Sequence, residues 1–312
     1  MANNPRVTKK TRDLIQAKAK ELGYFRNTLA SNLRSQKTRT IGVIVPHISR
    51  YFLSTVIAGI EEVAFENDYR VIICQSLDQL EREKQLTDTL LSSQVDGIIM
   101  SISMETNQYE HLEKIETQKT PIVFFDRKCE AIPANNILID DFARAFEATE
   151  HLILSGRKRI VHFTGSENVS IYQDRLKGYK EALHKHNITE DPTLIYKSSL
   201  KPADGKILAR QILELKEIPD AIFSANDLAA ISCMQELQES GVKIPHDIAI
   251  VGFSNEPLGA YTSPSLSSVN QNPLEMGKIA TQTLLHQIEN PDVVQETKLL
   301  DSSLILRNSS II

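Results

Sequence analysis

The chain has 312 residues, 41% of them hydrophobic and 24% charged, with a formal net charge of −5. Such a length buries a sizeable core without disulfide staples, and the composition excludes disordered and fibrous classes. Cys74, Cys129 and Cys233 are odd in number and lack C-x-x-C spacing, no apolar run approaches a membrane span, and residues 1–10 lack the apolar core of a secretory signal. The expectation is a reducing, cytoplasmic location with no disulfide framework or zinc site.

In chain order, the first 40 residues carry ten basic and two acidic residues, leaving 25 basic and 38 acidic for the rest. The N-terminus therefore faces a polyanion such as DNA while the body repels it. Thr8 to Leu22 reads as a helix with Leu14, Ile15, Ala19 and Leu22 on one side, stopped by Gly23. Thr28 to Arg34 has room for two helical turns, too few to be stable alone, so it would order only against a partner surface.

From Thr40 short apolar runs alternate with helical segments. The first series is Ile41–Val45, Val71–Cys74, Gly97–Met100 and Ile122–Phe125; the second is Ile160–Phe163, Leu194–Tyr196, Ala221–Phe223 and Ile248–Val251. Near-continuous apolar strands spaced by helix-length crossovers mark parallel sheets covered on both faces. The fold class read from this is α/β, with two doubly wound parallel-sheet lobes. Periodicity does not place Leu266 to Ile312.

Residue for residue, T-R-D-L-I-Q-A-K-A-K-E-L-G-Y followed by N-T-L-A-S-N-L-R resembles the last headpiece helix and hinge helix of the lactose-repressor/galactose-repressor (LacI/GalR) transcriptional regulators. Further matches, I-G-V-I-V-P with I-S-R-Y-F, F-F-D-R, R-L-K-G-Y, S-A-N-D, I-P-H-D-I-A-I-V-G-F and E-M-G-K-I-A, carry it from Asn4 to Arg307. The resemblance implies a type I periplasmic-binding-protein-like effector domain of two lobes, with the chain crossing between them near Asp140, Val269 and Gln295. On that basis residues 1–37 are a short helical headpiece remnant and hinge helix, 38–139 plus 270–295 the first lobe, and 140–269 plus 296–312 the second.

For DNA, the resemblance implies contacts from Arg12, Asn27, Ala30, Leu33 and Arg34, with Leu33 matching the leucine that wedges between base steps in the minor groove. Arg26 and Ser31 depart from the family's usual proline and arginine. On the same resemblance, the sequence is expected to start after the helix-turn-helix that would read base edges. Operator DNA is thus one expected partner, and a ligand-binding, dimerising protein without sequence-specific DNA contact is the alternative. With no heptad extension at the tail, a homodimer is expected.

Ligands of open parallel sheets bind beyond the carboxyl ends of the strands. Residues there are Ser49, Tyr51 and Phe52, then Gln75 and Ser76, then Asp126 and Arg127, and in the second half Asn226, Asp227 and Ser254. Read through the resemblance, Tyr51 and Phe52 stack on a sugar face, Asp126 accepts from hydroxyls, and Arg175 is the effector-binding arginine, its planar fork suiting vicinal hydroxyls or phosphate. Asn226 ranks above Asp227, which is expected to cap the next helix. Ser254 stands where many relatives carry aspartate, and Gln271 lies at the second crossing. The implied effector is a sugar or sugar phosphate. G-x-G-x-x-G, Gly-Lys phosphate loops, G-x-S-x-G and H-E-x-x-H do not occur, so neither an enzyme nor a cofactor is expected, and His184 with His186 reads as a solvated pair. A periplasmic sugar-binding protein is a more distant reading, since the basic hinge has no place in it.

Overall fold

A computed structural model of the protein describes residues 8–22 and 37–311. Helix α1 (Lys9–Glu21) occupies nearly the expected span, with Leu14 and Leu22 exposed. Arg12 lies on α1. Asn27, Ala30, Leu33 and Arg34 fall outside the described residues.

The body consists of two sheets built to one plan. The first takes β1 (Thr40–Val45), β2 (Arg70–Gln75), β3 (Gly97–Met100), β4 (Ile122–Phe125), β5 (Asn135–Ile139) and β11 (Thr297–Leu300) in the order β2-β1-β3-β4-β5-β11. The second takes β6 (Ile160–Thr164), β7 (Ile195–Lys197), β8 (Ala221–Ser224), β9 (Ala249–Phe253), β10 (Ser267–Asn270) and β12 (Ser303–Ile305) in the order β7-β6-β8-β9-β10-β12. Every pairing is parallel except β10 with β12. The inner strands β1, β3, β4, β6, β8 and β9 are buried at every residue, which is why their sequences are continuous apolar runs rather than alternating ones. Leu194, expected in a strand, sits in a single 3-10 turn (Pro192–Leu194) begun by proline and capped by Asp191.

Helices α2 (Tyr51–Glu66), α3 (Leu80–Ser92), α4 (Glu110–Thr117) and α10 (Pro273–Glu289) cover the first sheet, and α5 (Asp141–Leu154), α6 (Ser170–Lys185), α7 (Pro202–Leu213) and α8 (Asp227–Glu239) the second, with the short α9 (Pro257–Tyr261) after β9. Helices α2 and α10 touch backbone to backbone. A Cβ on Gly277 would lie 2.0 Å from the Val56 carbonyl oxygen, and one on Gly59 2.2 Å from that of Leu274. Among the described residues no helix is long and apolar enough to cross a membrane.

The chain passes between the sheets at Asp140, between β5 and α5; at Gln271–Asn272, between β10 and α10; and at Asp301–Ser302, between β11 and β12. The last passage corrects the sequence reading, which put it near Gln295 and assigned everything from 296 onward to the second lobe. Strand β11 pairs Thr297–Leu300 with Asn136–Ile139 and so belongs to the first sheet. It was illegible because T-K-L-L is an exposed edge with no apolar run to betray it.

Candidate functional site

Both sheets reverse strand order beside their first strand, between β1 and β3 and between β6 and β8. Such a switch point leaves a crevice beyond the strand ends, because the two flanking helices depart to opposite faces. Here the two crevices face each other and enclose a cavity of about 830 Å³. Pro46, His47 and Arg50 follow β1, Met104 and Glu105 follow β3, Ser166 and Asn168 follow β6, and Ala225 and Asn226 follow β8. Of the residues singled out in the sequence, Phe52, Asp126, Arg127, Arg175, Asn226, Asp227, Ser254 and Gln271 line it. Ser49 and Tyr51 do not. Both are exposed, because α2 starts at Tyr51 and turns its first side chain outward while Phe52 turns in. Gln75 is also drawn away: its Oε1 accepts from the Ile48 N–H at 2.9 Å and pins the loop after β1. Ser76 is fully buried, its hydroxyl paired with that of Ser103.

Arg175 projects from the second turn of α6 and is only 3% exposed. Its Nε donates to Asp141 Oδ1 and its Nη1 to the Ala225 carbonyl oxygen, each at 2.7 Å, and its guanidinium carbon stands 3.6 Å from the centroid of the Phe253 ring. Two of the five guanidinium N–H groups are thereby committed to fixing the plane, and the others remain. Tyr172, one turn earlier on the same helix face, lines the cavity beside it. Burial pushes the Asp141 carboxyl upward, and Arg175 opposes that shift.

On the first-lobe side Asp126, in the left-handed region at φ 62°, turns its carboxylate toward Gln271, which is 2% exposed. Burial raises its pKa, with Arg127 and Arg175 acting the other way. Arg127 is chiefly a brace. Its Nη1 donates to Asp78 Oδ1 at 2.6 Å and to the Ile102 carbonyl at 2.8 Å, tying together the loops after β2, β3 and β4. Asp78 also accepts from the Met104 N–H at 3.0 Å and lies 3.2 Å from His47 Nε2; burial depresses the imidazole's pKa.

The S-A-N-D segment reverses the expected division of labour. Asn226 is the cap of α8, its Oδ1 accepting from the Ala229 N–H and its Nδ2 donating to the Leu200 carbonyl, both at 2.9 Å. Asp227 instead reaches under the loop after β9, accepting from Ser268 Oγ at 2.7 Å and from the Glu256 N–H at 2.6 Å. Burial, the dominant influence, pushes its pKa up to about 6. Sequence reasoning missed His47, Arg50, Asp78, Tyr172 and Glu256. The i, i+3 relation of Tyr172 to Arg175 was the one usable signal, since the others lie two to five residues beyond strand ends in loops whose direction is set by left-handed residues such as Leu77 and Asp78.

Comparison with known proteins decides what this architecture belongs to. Residues 149–310 match the periplasmic binding protein-like domain model. The HTH-type transcriptional repressor CytR of Escherichia coli (strain K12) is 31% identical over 312 residues, covering 99% of this chain and 90% of the relative. The chain belongs to the LacI/GalR family. It is thus a transcription regulator with a two-lobed, periplasmic-binding-protein type I core, and its relatives are repressors rather than enzymes. Among solved structures, the transcription regulator CcpA of Lactococcus lactis superposes with a TM-score of 0.81 at 29% identity, over 87% of this chain and 99% of that one. A LacI family regulator from Enterococcus faecium, solved with bound ribose, gives 0.76 at 27% identity, over 87% and 98%. This LacI/GalR regulator thus carries an effector-binding core. Among the described residues no group of three or more His, Cys, Asp or Glu side chains is placed to hold a metal ion.

Proposed function

We propose that this regulator is a cytoplasmic homodimer that binds operator DNA through its basic N-terminal segment, and that a sugar or sugar phosphate held between the lobes controls that binding. The observation that carries the reading is Arg175, an almost fully buried guanidinium fixed edgewise by Asp141 and Ala225 and floored by Phe253, with N–H groups left over at a polar interlobe cavity. Such a plane offers paired donors to vicinal oxygens at little entropic cost. Asp126, Gln271 and Ser254 supply further polar contacts, and Phe52 an apolar face. The ribose seen in the Enterococcus faecium relative supports a sugar. The charge at the cavity favours a neutral sugar over its phosphate: Asp78, Glu81, Glu105, Asp126, Asp227 and Glu256 outnumber Arg50, Arg127, Arg175 and Lys201.

Because the cavity is walled by both lobes, a ligand that bridges them stabilises one lobe orientation over another, and only such differential affinity shifts a conformational balance. The first lobe leads directly, through residues 37–39, into β1, so its orientation sets where the two N-terminal arms of a dimer present themselves. Thermal-shift screening of D-ribose, D-glucose, D-fructose, cellobiose, cytidine and ribose 5-phosphate tests the reading. A stabilising hit is expected among the neutral sugars, and its loss in Arg175→Lys places it in the cavity. A hit that binds Arg175→Lys unchanged contradicts the assignment.

A further inference from the structure

The loop joining β9 to α9 faces the cavity and is strained. Ser254 has φ 113° and the next residue, Asn255, φ 48°. Neither is glycine, so each sits where an L side chain is disfavoured, and such geometry persists only where the surroundings over-determine it.

The surroundings do so here. The Ser254 N–H donates to the Val269 carbonyl at 2.9 Å, the Asn255 N–H to Ser268 Oγ at 2.9 Å, and the Glu256 N–H to Asp227 at 2.6 Å. From below, Arg307 donates through Nη2 to Asn255 Oδ1 at 2.7 Å and through Nη1 to the Leu266 carbonyl at 2.6 Å. The backbone and a side chain of β10, the Asp227 side chain of α8 and Arg307 of the C-terminal segment thus lock three successive residues. Strained and braced, the loop ends by carrying the Glu256 side chain to the cavity wall.

What it presents there is unusual. Glu256 is half-buried, yet its carboxylate takes part in no hydrogen bond or ion pair among the described residues. Asp227 beside it repels, and Arg50, whose charge opposes that repulsion, belongs to the opposite lobe. A carboxylate half withdrawn from water without a partner destabilises the fold, and a site that tolerates this is a candidate for ligand contact. At the loop's own entry Ser254 offers no charge.

We propose that Glu256 is a specificity-determining carboxylate of the effector site, accepting hydrogen bonds from adjacent hydroxyls of a neutral sugar on the second-lobe wall, where Arg175 of the same lobe donates. The inference rests on the reading of the cavity as a sugar site and narrows it. Paired hydroxyls suit a carboxylate's two oxygens, whereas a phosphate at this wall would meet Glu256 and Asp227 as like charges.

The test uses the full-length protein and the neutral sugar of the panel (D-ribose, D-glucose, D-fructose or cellobiose) that raises the melting temperature most, titrated calorimetrically, at a pH high enough to ionise Glu256, into wild type, Glu256→Gln and Arg175→Lys. Glutamine keeps the size and one acceptor oxygen and removes the charge, so the affinity is expected to fall by about tenfold to a hundredfold, the span of one charge-assisted hydrogen bond. The unliganded melting temperature of Glu256→Gln is expected to equal or exceed that of wild type, an outcome opposite to that of removing a structural carboxylate. Unchanged affinity in Glu256→Gln together with a loss in Arg175→Lys overturns this inference and leaves the cavity reading intact. Unchanged affinity in both variants overturns both, as does a panel in which no neutral sugar binds. A fall in unliganded melting temperature in Glu256→Gln assigns the residue to structure instead and overturns the inference.

Discussion

Replacing Arg175 by lysine separates what this residue does for the ligand from what it does for the fold. Lysine keeps a positive charge beside Asp141, so the buried carboxylate is not stranded and the large penalty of an uncompensated buried charge is avoided. The fold loses the bond to the Ala225 carbonyl, worth about 0.5–1.5 kcal/mol, and the planar contact over Phe253, worth about 0.5–2 kcal/mol. The ligand loses more. Two charge-assisted bonds from the uncommitted N–H groups amount to about 3–6 kcal/mol, and at about 1.4 kcal/mol per tenfold the affinity falls by at least about a hundredfold. Calorimetric titration of the panel hit and urea denaturation of the unliganded protein read the two quantities separately. Binding within about threefold of wild type, or a stability loss as large as the binding loss, refutes the view that the guanidinium plane is held for a ligand.

Three further outcomes follow from the structure. Gly277→Ala places a Cβ where the Val56 carbonyl stands and forces α2 and α10 apart, and the overpacking cost of about 1–3 kcal/mol exceeds the gain of about 1 kcal/mol in helix propensity; a urea midpoint at or above that of wild type contradicts the backbone contact. Burial, reinforced by Asp227, raises the Glu256 pKa to about 7 in the folded protein, above its ordinary 4.5, so its contribution to stability is present below about pH 4.5 and lost as the pH rises through about 7; the melting temperature of Glu256→Gln relative to wild type is expected to climb across that window, and a flat difference contradicts the shift. If α1 docks on phosphates, Arg12→Ala lowers the slope of log affinity against log salt for non-specific duplex DNA by about one; an unchanged slope removes Arg12 from the interface.

Legibility followed physics. The inner strands were readable because burial on both faces demands unbroken apolar runs, as in I-G-V-I-V and A-I-V-G-F. Strands β10, β11 and β12 were not, because S-S-V-N, T-K-L-L and S-L-I sit at or next to sheet edges, where hydroxyl and lysine side chains are tolerated, and pairing rather than composition makes them strands. The same limit displaced the third crossing. At the site, the switch-point rule located the right loops, but the residues that turn inward depend on where the backbone goes next. Tyr51 and Phe52 adjoin in sequence and point opposite ways once α2 begins. Asp227 left the ligand for Ser268 and the Glu256 amide, a tertiary partnership that no local spacing announces. Glu256 is held by Asp227 through its amide and by Arg307 through the neighbouring Asn255, groups some thirty and fifty residues away.

The central claim, that occupation of the interlobe cavity governs DNA binding, is tested most directly by fluorescence anisotropy on an operator selected from a random duplex pool, titrated with and without saturating panel sugar. Linkage requires the sugar to change operator affinity by the same factor as the operator changes sugar affinity, and requires that factor to vanish in Arg175→Lys at sugar concentrations that saturate wild type but not the variant. Operator affinity that ignores a bound sugar, or responds equally in Arg175→Lys under those conditions, would contradict the account.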